Sequence, residues 1–167
     1  SFYASHTLRV LQTPIVIERM VAILENTDGN WSIKDRVAVA ELLGKLREKT
    51  PFMPLMKIWQ DTTLHNDLRA SAAEALSEAE TIVPHDVFIA MLSDQNASIR
   101  CSAVQGLGKH NVQTHTDLLL SALQDSNPCV CERALETLHR AGISIPIRLL
   151  QALFYDGDKD ISKEAWN

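Results

Sequence analysis

The chain has 167 residues, of which 46% are hydrophobic but only 5% aromatic, and a formal net charge of −5. That length suits one ordinary domain, and an apolar fraction made mostly of Ala, Leu, Val and Ile suits closely approaching helices better than a sheet. A mildly acidic balance argues against generic phosphate-backbone binding, so no nucleic-acid partner is expected.

Residues 1–12 read as the tail of a helix. Pro14 then opens a helix whose apolar face holds Ile15, Ile17, Met20, Val21 and Leu24, because proline at a first helical position gives up an N–H that would lack a partner there. The device recurs: Pro51, Pro84 and Pro146 each precede an apolar helix, and His115 fills the same slot. Ten residues after these four positions stand Asp61, Asp94, Asp125 and Asp156, placed in a turn where Asp bonds local backbone. A second helix follows, its third position held by Arg36, Arg69, Arg100, Cys131 and Ser162, and 15 residues always separate this slot from the next Pro or His. The repeat is therefore 31 residues, stretched to 33 in the second unit, with insertions confined to the turn inside a unit. Units fall near 14–46, 51–79, 84–110, 115–141 and 146–167, a single repeat domain that reads as a fragment of a longer chain, with Trp166 on an uncovered apolar face.

Helical phase assigns directions along the second helix. With Ser98 as position one, positions two (Leu68, Ile99, Val130, Ile161), six (Val39, Ala72, Ala103, Ala134, Ala165), seven (Ala40, Ala73, Val104, Leu135) and ten (Leu43, Leu76, Leu107, Leu138) form an apolar seam. The opposite stripe is polar: five (Ser71, Ser102, Arg133), eight (Glu41, Glu74, Gln105, Glu136) and twelve (Lys45, Glu78, Lys109, Arg140).

The turn Asp, the apolar-Arg pair and the small residues ending in Leu-Gly resemble the HEAT-like repeat of the phycobilisome bilin-lyase type, an armadillo-like α-solenoid. The resemblance covers residues 14–167, with departures at Asp35, Cys131 and Ser162. It implies an all-α, right-handed α-α superhelix of about four full helical pairs plus partial terminal units, its second helices lining the concave surface.

Chemistry is sparse. The arginine ladder is either a basic stripe for an acidic partner or a set of braces to turn carboxylates and carbonyls, and its isolation favours braces. Cys101, Cys129 and Cys131 are odd in number and lack a framework spacing, so they read as reduced thiols of a cytoplasmic protein; zinc would need further ligands. Asp156-Gly157-Asp158-Lys159-Asp160 opens like a calcium loop, but Ile161 and Asn167 break the pattern. Gly106-Leu107-Gly108 ends a helix and is no phosphate cradle. His110 and His115 read as capping or solvated turn residues, and His85-Asp86 as capping chemistry. No catalytic constellation can be assembled, so no catalytic, cofactor-binding or metal-binding residue is assigned. No apolar run approaches the about 18–20 residues that span a bilayer, so no membrane partner is expected.

These features point to a non-catalytic interaction or scaffolding module that binds a protein or peptide along the polar stripe, through Ser71, Glu74, Ser102, Gln105, Arg133 and Glu136. The stripe is slightly acidic, which suits a basic or polar guest. The alternatives are a bilin-lyase-like subunit acting on phycobiliproteins, or a sensor or autoinhibitory segment of a larger signalling NTPase.

Overall fold

The computed structural model describes residues 13–80, 83–109 and 112–155; the expectations for residues 1–12, His110, the calcium-like loop and the helix starting at Asp160 lie outside them. The described residues are helical and contain no strand. They divide into two compact units, 1–84 and 85–167, each taken by itself below.

The first unit holds α1 (Pro14–Glu25), α2 (Ile33–Gly44), α3 (Phe52–Gln60) and α4 (Asn66–Glu78). The second holds α5 (His85–Met91), α6 (Ala97–Lys109), α7 (Thr116–Ala122), α8 (Pro128–Arg140) and α9 (Ile147–Tyr155). Every Pro or His slot therefore stands at a first-helix start, as the spacing predicts. Within the first unit α1 packs on α2 and α3 on α4, while α2 and α4 lie against each other; within the second, α5–α6 and α7–α8 repeat the arrangement and α6 lies against α8.

Local chemistry sets the starts of the second helices. Asp61, Asp94 and Asp125 each turn the chain by accepting, through Oδ1, the N–H two residues on (Thr63, Asn96 and Asn127, at 3.0, 2.9 and 2.8 Å). In the later pairs that asparagine then caps the helix: Asn96 accepts from Ser98 N at 2.9 Å and Asn127 from Cys129 N at 3.0 Å. His65 Nδ1 does the same for Asp67 N at 3.2 Å. At α2 the cap is a reciprocal box between Ser32 and Asp35. This accounts for Asp35 in a slot that is apolar elsewhere, since its carboxylate holds the Ser32 N–H at 3.1 Å.

The seam is closed. Leu43, Leu76, Leu107 and Leu138 at position ten, and Ala72, Ala103 and Ala134 at position six, are all fully buried. Close approach is built in at glycines, Gly44 and Gly106 among them. A Cβ on Gly44 would lie 2.8 Å from Ala75 Cα on α4, and one on Gly106 would lie 2.3 Å from the ring of the buried Phe88 on α5. Larger residues would push apart the helices whose contact is the core.

Candidate functional site

The arginine ladder is structural. Arg36 Nε donates to Leu24 O at 2.8 Å, Arg69 Nε to Trp59 O at 3.0 Å, and Arg100 Nη1 to Asp94 O at 2.9 Å. Cys131 Sγ reaches Asp125 O at 3.1 Å in the fourth pair. In each case the residue at position three satisfies a carbonyl at or just beyond the end of its own pair's first helix, where no intrahelical donor remains. Cysteine can replace arginine because the shared task is donation. Arg100 adds a second task, a two-pronged ion pair with the next pair's turn carboxylate: Nε–Oδ2 at 2.7 Å and Nη2–Oδ1 at 2.8 Å, with both side chains mostly buried. Arg36 faces Asp61 in the corresponding place, and burial pulls its guanidinium down from the ordinary value.

The polar stripe is narrower than helical phase suggests. Ser71 and Ser102 are only 8% exposed, and Ser102 Oγ donates back to Ser98 O at 3.0 Å. Position five thus lies inside the packing where it is serine, because so small a side chain lets neighbouring structure close over it. Position eight stays accessible: Glu41, Glu74 and Glu136 are exposed and Gln105 is half-buried. Arg133 is half-buried as well. On α8, Glu136 accepts from Arg133 Nη1 at 3.4 Å and from Arg140 Nη2 at 2.5 Å. A carboxylate flanked by two guanidinium groups leaves that part of α8 balanced in charge.

Two associations were not visible in the linear pattern. His115 is buried, and its Nε2 lies 2.8 Å from His85 Nδ1, with the rings edge-on. The turn Val112–His115 tucks the ring inward, so His115 packs against His85 rather than standing as the capping or solvated residue expected. Cys101 and Cys129 bring their sulfurs within 4.0 Å across α6 and α8. Among the described residues no group of three or more His, Cys, Asp or Glu could hold a metal ion, and no helix is long and apolar enough to cross a membrane.

Paired helices, a seam of alanines and leucines, and a repeated turn Asp before each second helix define the architecture. Residues 85–166 match the family model for HEAT repeats. The second unit carries HEAT-like repeats. The match spans the second unit, and the first unit shows the same helix pairing and position-three brace. HEAT repeats are commonly protein-interaction or scaffold modules and are generally non-catalytic. Among curated proteins none matches the chain.

Proposed function

We propose that the chain is a non-catalytic binding module that holds a polypeptide against the solvent-facing side of its second helices. The observation that carries this reading is the split between faces: positions two, six and ten of α4, α6 and α8 are closed into the seam, while position eight faces water on α2, α4 and α8. In the second unit Gln105, Arg133 and Glu136 form the contact side, and Glu74 holds the equivalent place in the first. Burial leaves Ser71 and Ser102 as residues that shape this face from beneath. Arg133, Glu136 and Arg140 alternate in charge along α8, which fits a polar guest of mixed charge better than a purely basic one.

Affinity capture with the isolated chain, run beside Glu74→Lys and Glu136→Lys variants of unchanged helicity by circular dichroism, tests the reading. A partner retained by the wild type and lost from the charge-reversed variants supports it. Equal retention by all three removes position eight from the contact surface.

A further inference from the structure

We propose that Cys101 and Cys129 form a dithiol modification site, which a peroxide converts into a disulfide bridging α6 and α8. The two sulfurs stand 4.0 Å apart, and Cys101 Sγ also lies 3.9 Å from Cys129 O. The thiols differ in access: Cys129, at the start of α8, is exposed, whereas Cys101 is half-buried. The Arg133 guanidinium, one turn along α8 from Cys129, carries the positive charge that acts on the Cys101 thiol. Burial pushes the Cys101 thiol up, and Arg133 opposes that by favouring the thiolate. A cation beside two sulfurs suits an anionic thiolate rather than a bound metal ion.

The chemistry follows from this division. The Cys129 thiolate attacks one peroxide oxygen; an S–O bond forms, the O–O bond breaks, and the departing alkoxide or hydroxide takes a proton. Cys129 is then a sulfenic acid. The Cys101 thiolate, held by Arg133, attacks the Cys129 sulfur; the S–S bond forms, the S–O bond breaks, and hydroxide leaves as water after protonation. Overall two thiols lose two electrons, and one peroxide becomes an alcohol (or water) and water. Side-chain rotation must bring the sulfurs from their present separation to a bonded distance of about 2.05 Å. Cys131, buried and donating to Asp125 O, serves as the internal control.

The test uses the reduced chain treated with hydrogen peroxide, alkylated after unfolding and mapped by mass spectrometry. The expected product is a monomer two hydrogens lighter, with a Cys101–Cys129 linked peptide and alkylated Cys131. In Cys101→Ser the reaction stops at a Cys129 sulfenic acid that dimedone captures. In Arg133→Gln, with helicity intact, the sulfenic acid forms as before but closes more slowly, so more of it is captured. Over-oxidised Cys129 beside a free Cys101 in the wild type would overturn the proposal, as would a Cys129–Cys129 link between chains.

Discussion

At the scale of single residues, position three of each second helix decides how a pair is held closed. Arg100 makes four bonds, two to Asp125 and one each to Asp94 O and Gln95 O. Removing it leaves a mostly buried carboxylate without its counter-charge, so Arg100→Ala should cost about 3 kcal/mol in urea unfolding. Arg100→Lys should recover only part, because an ammonium cannot make the two-pronged bond. Loss of partner capture with unchanged unfolding would instead make the ladder a binding stripe. Asp61 gives a pH-dependent counterpart. The Thr63 hydroxyl, first, and the Thr63 N–H, Arg36 and Arg69 besides, hold its carboxyl below the usual range. A depressed folded value means stability that is complete above the unfolded carboxylate value, about 4, and lost as pH falls through the folded value. Unfolding curves recorded between neutral and strongly acidic pH should therefore steepen at the acid end, and Asp61→Asn should flatten that limb.

At the scale of helices, the period, the Pro slots and the seam were legible because each depends on one helix's own phase. Leu107 and Ile99 are buried because the 3.6-residue period puts them on one side of α6. Phase does not say how close the neighbour comes. That is why Ser102 was assigned to an accessible stripe and lies buried, and why Cys101 and Cys129, at positions four and one of successive second helices, did not announce their approach. His115 lies buried for the same reason: a turn residue's exposure depends on the fold of the turn, not on polarity. Gly106 shows how much the missing distance matters. Alanine there would raise helix propensity by about 1 kcal/mol, yet its Cβ would lie 2.3 Å from the ring of the fully buried Phe88. Gly106→Ala should be net destabilising by about 1–2 kcal/mol in thermal or urea unfolding. Adding Phe88→Leu should return part of the loss, a non-additive pair; a fully additive double variant would refute the contact as the cause.

At the scale of the whole molecule, helix packing within each unit joins elements one or two places apart in the chain, as α6 joins α5, α7 and α8. Such an array is quasi-one-dimensional: its stability is a sum over pairs and the interfaces between neighbours, with no single centre. A defect should accordingly weaken its neighbours in order of adjacency. Leu138 on α8 is fully buried, and α8 packs directly on α6 and α7 but not principally on α5. Leu138→Ala should cost about 2–5 kcal/mol. Native-state hydrogen exchange should show amide protection falling most in α8, less in α6 and α7, and least in α5. Equal loss in all four helices would mean that the second unit unfolds as one cooperative block, and that its repeats are distinct in sequence without being separable in energy.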